Sequence, residues 1–178
     1  TARWIALILI SSTMFFAYFF VDVAAPLKTL LEKDPYYWSN ETFGMLGGSE
    51  FFLNVFAGFL ILSGVILDKM GIRFTMILSG ALMLIGGSLK WYALTTGFMD
   101  TEIYTFLGSF ITGIPASAKL AFFGFAIFGV GVEMAGITVS KTIVKWFRGK
   151  ELALAMGLEM ALARLGVFAV FQLSPIFA

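Results

Sequence analysis

Five long apolar stretches constrain the fold of this chain more than any other feature. An α-helix rises 1.5 Å per residue, so roughly 20 mainly apolar residues are needed to cross about 30 Å of hydrocarbon. The stretches that meet this requirement are residues 4–25, 40–67, 74–96, 118–145 and 151–171. We therefore predict an all-α membrane protein with five transmembrane helices, forming one bundle over residues 1–178.

The composition supports a membrane location and excludes several functions. Hydrophobic residues make up 60% of the chain and charged residues 13%. A soluble domain of 178 residues has too little interior to hide that much apolar surface. The net charge of +1 gives no basis for binding nucleic acid, and the absence of His and Cys removes common metal ligands and proton shuttles. We predict a protein that is not an enzyme, without metal or cofactor, embedded in the lipid bilayer.

The connections between the stretches predict an orientation. Residues 68–73 and 146–150 are short and basic, whereas residues 26–39 and 97–117 are longer and carry mixed charge. Because Lys and Arg favour cytoplasmic loops, the short connections and the N-terminus are predicted to be cytoplasmic, and the long connections external. Residues 103–114 are apolar but too short to cross, so we interpret them as a partly inserted or amphipathic piece of an external loop. The chain is expected in the cell (inner) membrane.

The sequence from Gly64 to Arg73 has the features of a tight reversal between two membrane helices. Gly64 is small enough for close helix approach, and Gly71 permits a sharp turn. Asp68 can accept hydrogen bonds from helix N-terminal amides or pair with an arginine. Arg73 is placed to reach the headgroups, and Lys69 adds to the basic character of the turn. The alternative is an ordinary basic loop.

Three motifs resemble one transporter family. The pattern G-x-x-x-D-[RK]-x-G-x-[RK] of residues 64–73 resembles the loop between helices two and three of the major facilitator superfamily. Residues 145–157 are similar to its loop between helices four and five. Residues 157–166, together with Glu133 and Arg164, resemble the lysosomal dipeptide uniporter branch and its bacterial relatives. The resemblance implies five helices of a six-helix N-terminal bundle, with a sixth helix and a C-terminal half outside this chain. It also implies that residues 64–73 act as a conformational-switch loop.

Two opposite charges lie deep in predicted membrane helices. Glu133 is 12 residues before Lys145, and Arg164 is 13 residues after Glu151, so each lies roughly 18–20 Å from the cytoplasmic end. Charges at that depth cost several kcal/mol, which makes them functional candidates. They can hold the ammonium and carboxylate of a zwitterion, as the family resemblance implies, or they can form an ion pair that locks two helices. Two neutral polar residues at similar depth, Tyr18 and Asn54, are candidates to line the same cavity.

Three more carboxylates are candidate proton or gating sites. Glu159 lies about one helical turn from Arg164 and is a candidate partner for it or part of an inner gate. Asp22 and Glu50 lie toward the outer ends of the first and second predicted helices. They are either proton sites or, as we favour, wet groups that face an external vestibule.

Together these features favour a secondary or facilitative transporter that moves a small polar, zwitterionic solute, such as a short peptide, by alternating access. The alternative is a membrane scaffold or assembly subunit in which the charges only lock helices.

Overall fold

The computed structural model describes residues 2–149 and 151–177, and the regular structure in that part of the chain is helical. A 3₁₀ turn at Asp22–Ala24 follows the first helix. The α-helices are α1 Ala2–Val21, α2 Lys28–Leu31, α3 Asn40–Phe56, α4 Phe59–Tyr92, α5 Thr96–Met99, α6 Glu102–Ser109, α7 Ala116–Trp146 and α8 Leu152–Phe177.

Within the described residues, four segments are long and apolar enough to cross a membrane. They are Ala2–Leu31, Phe59–Tyr92, Ala116–Trp146 and Leu152–Leu173. The chain is therefore an all-helical, multi-pass membrane protein.

Helix α4 consists of two arms that meet at Gly71. The backbone of Gly71 has φ 81° and ψ 172°, which is not helical. Ser63 in the first arm (residues 59–70) and Leu82 in the second arm (residues 72–92) line the same groove. In one straight helix, 19 residues would separate them by about 28 Å. The chain therefore reverses at this glycine, and the turn predicted over residues 68–73 shortens to a single non-helical residue.

The helix predicted over residues 40–67 is interrupted, contrary to expectation. Helix α3 ends at Phe56, and Gly58 adopts the left-handed conformation with φ 67° before α4 begins. A left-handed glycine is a common way to end a helix. Segment 97–117 contains helix α6 and most of α5, and α6 covers the first part of the piece at residues 103–114 that was predicted to be amphipathic or partly inserted.

Helix α7 forms the centre of the bundle and packs closely against the second arm of α4. Glycines make this contact possible: a Cβ on Gly86 would collide with the backbone of Phe128, and one on Gly131 would lie 2.8 Å from the Ser79 carbonyl oxygen. Close backbone approach through glycine is typical of membrane helix pairs. Since residues 79 and 86 meet residues 131 and 128, the second arm and α7 are antiparallel.

Other contacts set the directions of the remaining helices. The Trp38 indole, just before α3, donates to the Ser117 hydroxyl at 3.1 Å near the start of α7, and Glu50 packs on Gly129. Thus α3 and α7 are parallel.

Helix α1 is antiparallel to α7 and parallel to α8. Met14 packs near Gly136 of α7, and Trp4 stacks edge-on against Phe147, with ring centroids 4.9 Å apart. A Cβ on Gly166 of α8 would collide with the Phe15 carbonyl. An ion pair near the starts of α1 and α8 gives the same direction.

Candidate functional site

The helix registers place Glu133 and Arg164 at similar depth. Phe15 meets Gly166 on α8, and the adjacent Met14 meets Gly136 on α7. Positions 164 and 133 therefore lie about one helical turn, ~6 Å, apart along the bundle axis. The Arg164 guanidinium lies 5.9 Å from the centre of the Tyr18 ring. Arg164 thus reaches toward the layer that contains Glu133.

Asn54 belongs to the same layer. It lies one turn beyond Glu50, which packs on Gly129, and the parallel register of α3 and α7 brings it level with Glu133. Its side chain is buried, and its amide nitrogen donates to the Glu50 carbonyl at 3.5 Å. Its amide oxygen has no partner among the described residues. A buried carbonyl oxygen without a donor is costly, so a ligand or water that supplies a donor would be stabilised there.

The two opposite charges are not bonded to each other. In the part of the chain that the structure describes, the ion pairs within 4 Å are Arg3–Glu151, Lys28–Glu32 and Lys141–Asp68. Glu133 is half-buried and Arg164 is exposed. The contact expected of a helix-locking pair is therefore not made in this conformation, and both groups have bonding capacity left.

Glu50 is not the wet vestibule group that the sequence favoured. Only 7% of its surface is exposed, because it is wedged against Gly129, where an added Cβ would lie 2.8 Å from the Glu50 Cγ. Asp22 is half-buried in the turn after α1. Glu133 and Lys90 both lie near enough to Glu50 to interact with it electrostatically. The structure therefore groups Asp22, Glu50 and Lys90 in a layer next to that of Glu133.

Lys90 is a buried cation that the sequence interpretation did not place in the site. Its ammonium donates to the carbonyl oxygens of Phe20 at 3.3 Å and Val21 at 3.5 Å, and lies 4.0 Å from the centre of the Phe125 ring. A cation near the last carbonyls of a helix interacts favourably with the helix dipole, and the face of the aromatic ring attracts it further. The signal in the sequence was a lysine inside an apolar stretch, but its acceptors exist only because α1 ends at Val21.

Replacing Lys90 with methionine is expected to loosen the end of α1. Loss of the capping interaction, about 1 kcal/mol, should raise amide exchange of residues 18–27 roughly fivefold. Hydrogen–deuterium exchange with mass spectrometry measures this directly. The control is Lys33→Met, which makes the same change at an exposed position. Equal exchange in the two variants would show that Lys90 does not hold the end of α1.

Glu159 lies on α8, five residues before Arg164, and is half-buried. Among the described residues no ion pair joins it to Arg164 within 4 Å. Its predicted role as a resting partner of that arginine is therefore not realised in this conformation, and a gating role remains a proposal.

The residues of the predicted switch loop have different surroundings from those expected. Asp68 forms an ion pair with Lys141 of α7 at 2.5 Å, rather than with an arginine or helix amides. A Cβ on Gly64 would meet no atom within 4 Å, so this glycine is not needed for close packing among the described residues. Lys69 and Arg73 are exposed. The Asp68–Lys141 pair joins the α4 turn to the end of α7 that also carries Trp146.

Two grooves on the bundle lie away from Glu133 and Arg164, although Lys90 lines the first of them. One, of about 600 Å³, runs between α1 and the second arm of α4, and the other, of about 420 Å³, lies between the two arms and α7. Both are lined mainly by apolar side chains, and neither includes Glu133 or Arg164. Arg164 lies instead on an exposed face of α8, and Glu133 is half-buried.

Comparison with known proteins gives relatives of one kind. Lysosomal dipeptide transporter MFSD1 of Pongo abelii is 31% identical over 170 residues, covering 92% of this chain and 31% of that protein. The protein of the same name from Homo sapiens is 29% identical over 165 residues, with the same coverages. The Danio rerio protein is 32% identical over 90 residues, covering 48% of this chain and 20% of that protein.

No protein-family model and no solved structure matches the chain. The chain spans 31% of the length of the first two curated relatives that it matches. These relatives are members of the major facilitator superfamily. With this similarity over 92% of its residues, the chain belongs to the major facilitator superfamily, and its helices are consistent with the N-terminal half of such a transporter.

Proposed function

We propose that this chain forms part of a transporter for a small zwitterionic solute of the dipeptide or amino-acid type. The observation that carries the proposal is the unpaired arrangement of Glu133 and Arg164, two opposite charges about one turn apart in depth on different membrane helices. The curated relatives are named as dipeptide transporters, which supports the same substrate class.

The chemistry of the site suits the two ends of a short peptide. The planar guanidinium of Arg164 can hold a carboxylate through two parallel hydrogen bonds. Glu133 and the free amide oxygen of Asn54 can accept hydrogen bonds from an ammonium group. Tyr18 lies within 5.9 Å of the Arg164 guanidinium and adds a hydroxyl to the same layer. The carboxylate and the ammonium of the substrate would neutralise Arg164 and Glu133, which are not paired with each other.

Transport requires that this layer open alternately to the two sides of the membrane. We propose five crossings, with α3 and the first arm of α4 forming the second crossing and the second arm forming the third. The N-terminus then lies in the cytoplasm, where the basic turns at 68–73 and 146–150 are also placed. A second helical half, of the kind implied by the greater length of the relatives, would close over the open face that carries Arg164.

The carboxylates next to the site are assigned proton or gating roles in this proposal. Glu50 is buried against Gly129, one turn before Asn54, and is a candidate to take up or release a proton during transport. Asp22 and Glu159 lie on either side of the layer along the bundle axis, at the positions where gates would close. The membrane in which the protein works is proposed to be the cell (inner) membrane.

A binding experiment on the protein that contains this chain tests the proposal. We expect saturable binding and uptake of dipeptides that compete with one another but not with organic anions of similar size. A scaffold protein would show neither, and its charge variants would lose assembly or abundance instead. Absence of saturable dipeptide binding by folded protein in vesicles would contradict the proposal.

The Asp68–Lys141 pair is expected to control turnover. Asp68→Asn removes the charge that joins the α4 turn to α7, so one conformation loses its stabilising contact while the substrate layer is left intact. The maximal uptake rate should fall at least several-fold, with the equilibrium affinity for substrate within about twofold of the original. Lys141→Gln should reproduce the effect, because it removes the other partner. Unchanged rates in both variants would remove the pair from the transport cycle.

A further inference from the structure

Helix α6 carries an amphipathic surface that is separate from the layer of Glu133 and Arg164. Large apolar side chains occupy positions i and i+3 at Ile103 and Phe106, which are 56% and 63% exposed. Phe110, the extended residue that follows the helix, packs its ring edge-on against Phe106. Polar side chains occupy the same spacing one residue earlier, at Glu102, Thr105 and Ser109. Residues with this spacing share one helix face. The helix therefore carries an uncovered apolar face and a separate polar face.

The other apolar residues of this helix fix how it sits against the bundle. The Tyr104 ring packs edge-on against Phe98, with centroids 5.5 Å apart. The ammonium of Lys119, in the first turn of α7, donates to the carbonyl oxygens of Leu107 at 2.6 Å and Phe110. A cation at these last carbonyls caps the helix and opposes its dipole. The segment is thus held to α7, with the Lys119 ammonium 5.8 Å from the centre of the Phe110 ring, while Ile103 and Phe106 stay exposed.

The position of this helix relative to the membrane follows from its neighbours. It lies beside the first turn of α7, at the end of the bundle where α4 finishes at Tyr92. The same end carries Trp91 and Tyr92, which are 70% and 38% exposed. Ends of membrane-spanning helices lie where hydrocarbon gives way to headgroups, and Trp and Tyr are enriched at that level. Water alone would leave Ile103 and Phe106 exposed at a cost, while this level of the bilayer would cover them.

We infer that α6 lies in the membrane interface as a lipid anchor, with Ile103 and Phe106 in the boundary between headgroups and acyl chains. The lipid surface covers the apolar face of α6, and the polar face of Glu102, Thr105 and Ser109 stays in water. The helix ties the connection between α4 and α7 to the bilayer surface. This inference rests on membrane insertion of the flanking helices and is independent of which solute is carried.

Site-directed spin labelling tests the inference. The chain contains no cysteine, so a cysteine introduced at Ile103, or at Thr105 as the matched control, is its only thiol once any cysteine elsewhere in the complete protein has been replaced by serine. The two positions lie about 160° apart around the helix. In vesicles of the complete protein, the ratio of oxygen to nickel-complex accessibility reports depth. We expect this ratio to be at least several-fold higher at position 103 than at 105.

Two results would overturn the inference. Equal, high nickel accessibility at both positions would show that the helix stands in water. Exclusion of both reagents at position 103 would show that protein covers the face, and persistence of that exclusion at low protein-to-lipid ratio would assign the cover to the same molecule rather than a second copy. Each readout is independent of uptake, so a failed anchor and a failed transport proposal are distinguishable.

Discussion

Replacing Arg164 with alanine is expected to weaken substrate binding by roughly 10- to 100-fold. Hydrogen bonds to charged groups contribute about 1.5–3 kcal/mol, and each 1.4 kcal/mol is a factor of about ten in affinity. Arg164→Lys should recover only part of the loss, because an ammonium cannot form the two parallel bonds of a guanidinium. Glu133→Gln should cost about tenfold, since the amide keeps a hydrogen-bonding oxygen but loses the charge. Binding and uptake are measured with a radiolabelled dipeptide.

The control for these variants is Arg148→Ala, which removes the same charge from an exposed position near the start of α8. It should bind substrate like the original protein. Membrane abundance must be equal in all variants, because a fall in abundance would indicate a structural role. Full binding by Arg164→Ala at normal abundance would exclude this arginine from the site.

Replacing Gly129 with alanine is expected to destabilise the bundle. The added Cβ would collide with the Glu50 carbonyl and force α3 away from α7. Overpacking of this kind costs about 1–3 kcal/mol, and each kcal/mol lowers Tm by roughly 2–4 °C in a chain of this size. Thermal unfolding of the detergent-solubilised protein measures the change. The shift should also move Glu50 and Asn54 and so weaken substrate binding.

Gly157→Ala is the matched control for this prediction. Gly157 is also a helical glycine, but a Cβ there would meet no atom within 4 Å. Alanine has the higher helix propensity by about 1 kcal/mol, so Tm should stay equal or rise. An equal loss of Tm in both variants would show that the contact between Gly129 and Glu50 is not what limits packing.

The lengths of the apolar stretches were sufficient to predict α1, α7 and α8, because hydrocarbon thickness sets a minimum helix length. They were not sufficient to predict the break at Gly58. Glycine is tolerated within membrane helices, so Gly58 and Gly64 look alike in sequence although only the first adopts a left-handed conformation.

The partners of charged residues were the least predictable feature. Asp68 pairs with Lys141, which is 73 residues away, so the contact depends on the register of α4 against α7. Lys90 bonds to the end of α1, and that end lies at Val21 because the chain turns before Pro26. Depth, by contrast, follows from counting residues along a helix, which is why Glu133 and Arg164 could be expected at a similar level.

A double-mutant cycle between protein and substrate tests the central claim most directly. Affinities of the original protein, Glu133→Gln and Arg164→Ala are measured for a dipeptide, its N-acetyl form and its C-terminal amide. The account predicts that acetylation weakens binding to the original protein and to Arg164→Ala, but has little further effect on Glu133→Gln. C-terminal amidation should weaken binding to the original protein and to Glu133→Gln, but should have little further effect on Arg164→Ala. If each substrate change costs the same in all three proteins, these residues do not hold the two charged ends of the substrate.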